Sequence, residues 1–271
     1  MIASIILLII IIDLFLIYNL FFSKWNPSLS NKLKTKRFFY YGHRGAPAVA
    51  PENTIISFQN AIDSQMDGVE LDIQLTKDQH LIVYHDKYID YKKKSTVISS
   101  LNLSEIHTID VKNQFEELEF QTIPLLEDVI KIIPDNIILN IEIKSYRWDF
   151  FKSLERQLIQ LINKHSIGNQ VIISSFNPRI IKKIKKIDSN IPTALIWSSD
   201  SSYNYKILSY YSKPDALHVN INDINKIIVD WCQNRSISLY AYTVNEKSDL
   251  DKAKKYNLNG IFTDNPEIKN V

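Results

Sequence analysis

The stretch that decides the fold lies at residues 68–78 and reads Gly68-Val69-Glu70-Leu71-Asp72-Ile73-Gln74-Leu75-Thr76-Lys77-Asp78. Glu70 and Asp72 are two positions apart, so in a β-strand both carboxylates project from the same face. The residues that alternate with them are Val, Leu and Ile, which indicates a strand buried on both faces. A buried charge must be paired, bound to a metal or used in catalysis. This strand therefore predicts both a parallel sheet and a functional site.

Seven further β-branched stretches alternate with amphipathic helical patterns along the rest of the chain. They lie at residues 38–42, 136–143, 170–174, 193–197, 216–219, 238–242 and 260–263. Eight strands alternating with helices predict the α/β class and a TIM (β/α)8 barrel. A doubly wound open sheet is the rival, but it normally carries a Gly-rich phosphate loop. The chain has only 5 glycines and contains neither GxGxxG nor GxxxxGK[ST].

The N-terminal part of the chain differs sharply from this pattern. Residues 2–22 are almost wholly apolar, enough for a helix of about 30 Å, and no basic residue precedes them. The run lacks the features of a cleaved signal peptide, so we expect a transmembrane anchor at residues 1–23. A juxtamembrane linker at 24–37 and the barrel domain at 38–271 would follow. The basic residues that follow the run predict a single-pass membrane protein whose catalytic domain is cytoplasmic.

Composition excludes several classes of function. The 271 residues carry a formal net charge of +2, which is too balanced for a protein that binds nucleic acid by neutralising phosphates. The single cysteine, Cys232, rules out an intramolecular disulfide and a zinc site built from several thiolates. Any metal must therefore be bound by carboxylates and histidines.

A ninth strand is predicted at residues 80–85. It follows the second barrel strand after a turn at residues 76–79, which is too short for a parallel crossover. We expect it to return antiparallel, with His85 opposite Glu70. The polar stretch that follows, residues 87–122, is predicted to be an insertion that caps the active site, because loops of this length are usually functional.

Oxygen ligands are predicted to converge at one end of the barrel. Asn140, Glu142 and Lys144 repeat the spacing of Glu70 and Asp72 on the next barrel strand. Three carboxylates from neighbouring strands make an all-oxygen site, which suits one divalent metal, Mg²⁺ or Ca²⁺.

Charged and titratable residues also lie at the ends of these strands. His43 and His85 are suited to be a general acid–base pair, since imidazole titrates near neutral pH. Arg44 and Lys144 are suited to bind a phosphate.

Nine short motifs together resemble the glycerophosphodiester phosphodiesterase (GDPD) family of the phospholipase C-like phosphodiesterase superfamily. In order, they are His43-Arg44-Gly45, Pro51-Glu52-Asn53-Thr54, residues 68–78, Val83-Tyr84-His85-Asp86, residues 123–129, residues 140–144, Ser174-Ser175-Phe176, Thr243-Val244-Asn245 and Thr263-Asp264-Asn265-Pro266. Each is weak alone, but their order across residues 38–266 is specific. Tyr242 departs from the pattern, because the family usually has Trp at this position.

The resemblance implies a TIM barrel with a metal bound by Glu70, Asp72 and Glu142, and with His43 and His85 as the catalytic residues. It implies phosphate contacts from Arg44 and Lys144, and further substrate-site roles for Glu52 and Tyr242. The activity implied is metal-dependent hydrolysis of glycerophosphodiesters to sn-glycerol 3-phosphate and an alcohol.

Three alternatives stay open. One is cleavage of lysophospholipids, of the lysophospholipase D type, which a membrane anchor through the N-terminal helix would favour. A second is a non-catalytic membrane-bound lipid sensor, and a third is a lyase that stops at a cyclic phosphate.

Overall fold

A computed structural model of the chain describes residues 2–22, 25–29, 32–34, 38–144 and 154–270. The end of the predicted anchor at residue 23 and residues 24, 30–31 and 35–37 of the predicted linker lie outside the described residues. Helix α1, Ile2–Phe22, forms where a helix was expected. Within the described part of the chain, no helix is long and apolar enough to cross a membrane. The predicted transmembrane anchor, the membrane contact through it and the single-pass placement are therefore not supported.

Strands and helices alternate through the rest of the chain. In order they are β1 Phe39–Gly42, α2 Ile55–Asp63, β2 Gly68–Leu75, β3 Leu81–Val83, β4 Tyr88–Tyr91, β5 Lys94–Val97, α3 Leu103–Ile106, α4 Leu126–Ile132, β6 Ile138–Ile143, α5 Leu154–Lys164, β7 Val171–Ser175, α6 Pro178–Ile187, β8 Thr193–Trp197, α7 Tyr205–Ser212, β9 Ala216–Asn220, α8 Lys226–Gln233, β10 Ser238–Tyr242, α9 Lys247–Lys255 and β11 Gly260–Thr263. Short 3-10 turns lie between several of them.

Eight of the strands form a closed parallel barrel. The order is β1-β11-β10-β9-β8-β7-β6-β2, and pairing of Tyr41 with Gly68 and of Gly42 with Val69 closes the ring. The outward side chains of β2, such as Leu71 and Ile73, are fully buried in the apolar layer between strands and helices. Glu70 and Asp72 alternate with these residues and point into the barrel. The predicted (β/α)8 architecture is confirmed.

The strand that follows β2 is antiparallel, as predicted, but its register differs by one residue. Ile73 pairs with Val83 and Leu75 with Leu81, and the ladder ends at Val83. The prediction that His85 lies opposite Glu70 is therefore wrong.

The cause lies in the turn, which is a three-residue loop of residues 77–79. It is closed by a hydrogen bond of 3.0 Å from the N–H of Thr76 to the carbonyl of His80. Such a loop requires a left-handed residue near its end, and Gln79 supplies it with a φ of 68°.

Residues 87–122 have a small apolar core of their own. Strands β4 and β5 form an antiparallel hairpin, and α3 follows it. Ile89, Ile98, Leu101 and Ile106 are buried together against Ile82 of β3. This core attaches the insertion beside the strand that leads to His85.

The amino-terminal end of the barrel is closed by residues of the predicted linker. Leu29 and Leu33 are buried in a cluster with interior residues of the barrel, including Tyr240 and Phe262. The backbone N–H of Ser28 donates a hydrogen bond of 3.0 Å to Asp215, which is itself buried. Residues 25–34, as far as they are described, therefore form a floor under the barrel.

His218 lies inside the barrel, in this apolar cluster. It is 3% exposed, and its ring lies 4.7 Å from the ring of Phe262 and 5.3 Å from that of Tyr240. Burial lowers the pKa of His218 to about 3. The unfolded chain, with an ordinary histidine pKa of about 6.5, binds this proton more readily than the folded chain does. Folding stability is therefore lost as the pH falls from about 6.5 towards 3.

We expect His218→Leu to remove this contribution. Relative to the variant, the wild-type free energy of unfolding should fall by about 2 kcal/mol between pH 7.5 and pH 5. Urea unfolding of both proteins at these two pH values measures the difference. Parallel losses in the two proteins would mean that His218 does not titrate on unfolding.

Candidate active site at the carboxyl ends of the strands

Strand register brings the predicted carboxylates together. Asp72 of β2 lies beside Glu142 of β6, and Glu70 lies beside Asn140. One oxygen each of Glu70, Asp72 and Glu142 lies within 4.8 Å of the other two. All three side chains are buried, at 8% exposure or less. The result is one compact acidic centre near the carboxyl ends of two neighbouring strands.

Two cations and one amide hold this centre. The Lys144 ammonium lies 2.9 Å from Asp72 and 2.6 Å from Glu142. Arg44 donates its backbone N–H to Glu70 at 2.9 Å, and its Nε lies 3.5 Å from Asp72. Asn53 donates its side-chain N–H to Asp72 at 2.9 Å.

Burial and mutual repulsion act on the charges of the three carboxylates. Burial, and then the charges of Asp72 and Glu142, raise the pKa of Glu70 well above its ordinary value. Burial also raises the pKa of Glu142, to about 7. For Asp72 burial acts in the same direction, but Lys144 and Arg44 outweigh it and lower the pKa. The raised pKa values of Glu70 and Glu142 mean that full ionisation of the centre requires more positive charge than Lys144 and Arg44 supply.

The donor set fits a divalent metal. Glu52 joins the centre because both of its carboxylate oxygens lie 3.0 Å from one guanidinium nitrogen, Nη1, of Arg44. Four carboxylates then face two cations, so full ionisation would leave an excess of two negative charges for a further cation to balance. One Glu70 oxygen, Oε1, is buried and has no hydrogen-bond partner among the described residues. Hard cations such as Mg²⁺ and Ca²⁺ prefer oxygen ligands, so this oxygen is suited to bind one.

His43 is held by a carboxylate that follows the neighbouring strand of the barrel. It follows β1, and its Nδ1 lies 2.7 Å from Oδ1 of Asp264, which follows β11. Asn245 donates to the other oxygen of Asp264 at 2.7 Å and accepts the backbone N–H of Asp264 at 2.8 Å. Burial acts to raise the pKa of Asp264, but the hydrogen bond from His43 outweighs it and lowers the pKa. The Nε2 atom of His43 is therefore the nitrogen that remains for chemistry.

His85 has a similar partner of its own. Its Nδ1 lies 2.7 Å from Oδ1 of the adjacent Asp86. Burial, and then the nearby Lys144 charge, lower the pKa of His85. His85 and Asp72 also interact electrostatically. His85 therefore lies close to the acidic centre, although it is not opposite Glu70.

Tyr242 ends β10 at the same face of the barrel. Its hydroxyl donates a hydrogen bond of 3.2 Å to the carbonyl of Trp197. Its ring meets Phe176 edge to face, with 6.2 Å between centroids. Burial, and then the charge of Glu142, raise the pKa of Tyr242. Because the hydroxyl already has a partner, the aromatic ring is the part that would contact a substrate.

All the predicted site residues therefore lie at the carboxyl-terminal face of the barrel. Those linked by hydrogen bonds or ion pairs in one network are Arg44, Glu52, Glu70, Asp72, Glu142 and Lys144. Their catalytic and binding roles remain predictions.

Sequence reasoning missed the partners of the predicted residues. Asp264 and Asn245 belong to motifs noted in the sequence, but no pattern there connects them to His43, since 221 positions separate Asp264 from it. Asp86 and Asn53 were likewise inside noted motifs and received no role.

The fold and the site define a class: a (β/α)8-barrel protein with an acidic centre and two histidine–aspartate pairs at its carboxyl-terminal face. A model of the glycerophosphoryl diester phosphodiesterase family matches residues 43–268. A glycerophosphodiester phosphodiesterase from Caldanaerobacter subterraneus subsp. tengcongensis is 33% identical over 228 residues, which cover 83% of this chain and 93% of that protein. The chain belongs to the glycerophosphoryl diester phosphodiesterase family.

Solved structures share the fold. A phosphodiesterase from Oleispira antarctica, in complex with the product sn-glycerol-3-phosphate, has a TM-score of 0.77 and 23% identity, and the match covers 86% of this chain and 95% of that one. A glycerophosphodiester phosphodiesterase from Agrobacterium tumefaciens has a TM-score of 0.72 and 17% identity, with coverage of 85% and 98%.

Proposed function

We propose that this chain hydrolyses glycerophosphodiesters to sn-glycerol 3-phosphate and an alcohol, with one divalent metal, Mg²⁺ or Ca²⁺. The observation that carries the proposal is the pairing of each histidine with a carboxylate, at 2.7 Å in both cases, beside the buried acidic centre. Family membership supports the same reaction.

Glu70, Asp72 and Glu142 would hold the metal. When bound, it supplies positive charge that stabilises a phosphate whose negative charge grows in the transition state. Lys144 and Arg44 add positive charge on the same side of the barrel. Both are tethered by carboxylates, so each presents its charge to the substrate without a large loss of side-chain entropy.

His43 would act as the general base. Its Nδ1–H donates to Asp264, which leaves the Nε2 lone pair to take the proton of the nucleophile, either the glycerol hydroxyl of the substrate or water. The Asp264 carboxylate then stabilises the imidazolium that forms. Asn245 keeps Asp264 in place through its two hydrogen bonds.

His85 would act as the general acid. With Nδ1 directed to Asp86, its Nε2–H can donate a proton to the leaving alcohol oxygen. A lowered pKa makes the protonated ring a stronger acid, which assists departure of an alkoxide. When water is the nucleophile, exchange with solvent returns a proton to His85 and removes the one on His43. When the glycerol hydroxyl attacks, the first step gives a cyclic phosphate; in a second step His85 takes a proton from water and His43 returns its proton to the ring oxygen, which opens the ring to glycerol 3-phosphate and restores both histidines.

The assay uses the purified full chain with glycerophosphocholine and, separately, lysophosphatidylcholine, in Mg²⁺, Ca²⁺ or EDTA. We expect metal-dependent release of glycerol 3-phosphate and choline from the first substrate. Lysophosphatidic acid from the second substrate alone would move the specificity to lysophospholipids, and a cyclic phosphate as the final product would indicate a lyase. No turnover of either substrate, with His43→Ala equally silent, would contradict the proposal and favour a non-catalytic role.

A further inference from the structure

Gln74 lies next to the acidic centre and has no part in the chemistry proposed so far. It follows Asp72 by two positions on β2, so its side chain points into the same face, and it is 6% exposed. Its Nε2 lies within hydrogen-bond distance of three successive backbone carbonyls. The distances are 2.8 Å to Tyr84, 3.3 Å to His85 and 2.9 Å to Asp86.

The orientation of this amide follows from its partners. All three are carbonyl oxygens, which only accept hydrogen bonds, so the nitrogen of the amide must face them. Two N–H groups serve three acceptors, which requires the backbone of residues 84–86 to curve around the nitrogen. The last backbone hydrogen bond from this segment to β2 is that of the Tyr84 N–H to the carbonyl of Asp72, at 2.9 Å, and the Gln74 amide continues the attachment through the carbonyls of residues 84–86.

The Gln74 amide is better shielded from water than the ring partner of His85 is. The ring nitrogen bonds to Asp86, whose side chain is 66% exposed, and water competes for an interaction with so open a carboxylate. The amide of Gln74 is buried, so its hydrogen bonds are strong and costly to break.

We propose that Gln74 is a positioning residue for His85, one that clamps the backbone of residues 84–86 so that the imidazole faces the leaving group. The inference rests on the proposed function, in which His85 protonates the leaving alcohol. A shift of about 1 Å in such a group costs about 100-fold in rate.

The test compares Gln74→Met with the wild type on two diesters in the full chain. Met has a similar length and cannot donate a hydrogen bond. With glycerophosphocholine the leaving choline oxygen needs a proton, and we expect kcat to fall by about 10- to 100-fold with little change in KM. With the p-nitrophenyl diester of glycerol 3-phosphate the leaving group departs as a stable anion, and we expect kcat to fall by less than about 3-fold. His85→Ala should show the same contrast, with a larger loss on the choline ester.

Thr76→Val is the matched control. Thr76 is buried and comes directly after the last residue of β2, and its hydroxyl accepts the N–H of His80 at 2.8 Å in the β2–β3 turn, away from the three carbonyls. Its loss should lower stability and leave the ratio of the two activities unchanged. If Gln74→Met lowers both activities equally, or neither, while His85→Ala shows the contrast, the positioning role is overturned.

A second readout separates this inference from the proposed function. The imidazole ¹⁵N signals of His85, identified by their loss in His85→Ala, report its environment whether or not the enzyme turns over. We expect them to shift in Gln74→Met and to stay in place in Thr76→Val. Unshifted signals in Gln74→Met would overturn the positioning role, whereas shifted signals together with no leaving-group contrast in His85→Ala would instead overturn the acid role of His85.

Discussion

Glu70→Gln should abolish metal-dependent stabilisation and turnover together. The Gln amide has almost the same size, but it removes the negative charge of a carboxylate whose Oε1 is buried and has no hydrogen-bond partner within the described part of the chain. A metal at 100 times its dissociation constant stabilises a protein by about 2.7 kcal/mol, which is several degrees in melting temperature. We expect Mg²⁺ or Ca²⁺ to produce this shift in the wild type and none in the variant, measured by calorimetry with and without EDTA.

Glu127→Gln serves as the control for this experiment. Glu127 is also a paired carboxylate, in contact with Lys164 at 2.6 Å and His165 at 2.9 Å, but it lies on α4, outside the acidic centre. The shift caused by metal should persist in this variant. Equal shifts in Glu70→Gln and in the wild type would place the metal elsewhere.

Asp264→Asn should lower kcat by about 100- to 10,000-fold while KM and the metal-induced shift stay near their wild-type values. The amide of Asn cannot stabilise an imidazolium as a carboxylate does, and it can hold His43 in the wrong tautomer. Steady-state kinetics on glycerophosphocholine measure the effect. Asp128→Asn is the matched control, since Asp128 pairs with Lys131 on the exposed side of α4 and its loss should leave kcat unchanged.

A double variant decides whether Asp264 acts through His43. If it does, Asp264→Asn should add little to the loss already caused by His43→Ala, because the two residues work as one unit. Losses that multiply would mean that Asp264 contributes by another route.

Residues with strong local signals were predictable from the sequence. The alternation of Glu70 and Asp72 with Val, Leu and Ile identifies an inward-facing pair on a buried strand, and the same spacing at Glu142 predicts its neighbour. Barrel closure then brings these carboxylates together without any further information. Period and burial therefore account for the fold and for the acidic centre.

Other features depend on contacts that no local pattern encodes. The register of the hairpin depends on the φ angle of Gln79. This residue adopts the left-handed region, which Gly usually occupies. The pairing of His43 with Asp264 arises only because β1 and β11 are neighbours in the closed ring. The contacts of Gln74 with residues 84–86 depend on the register of β3 on β2, which the sequence predicts one residue away from its true value.

The floor of the barrel also has a consequence for acid tolerance. Leu29 and Leu33 lie in the same apolar cluster as Tyr240 and Phe262, the two rings against which His218 packs. Their side chains keep water from the interior in which the histidine must stay neutral. The resistance of the barrel to acid is then governed partly by Leu29 and Leu33, which precede its first strand and lie at the end remote from the acidic centre. Trimming the chain to the barrel alone would hydrate this histidine and alter the pH at which the protein unfolds.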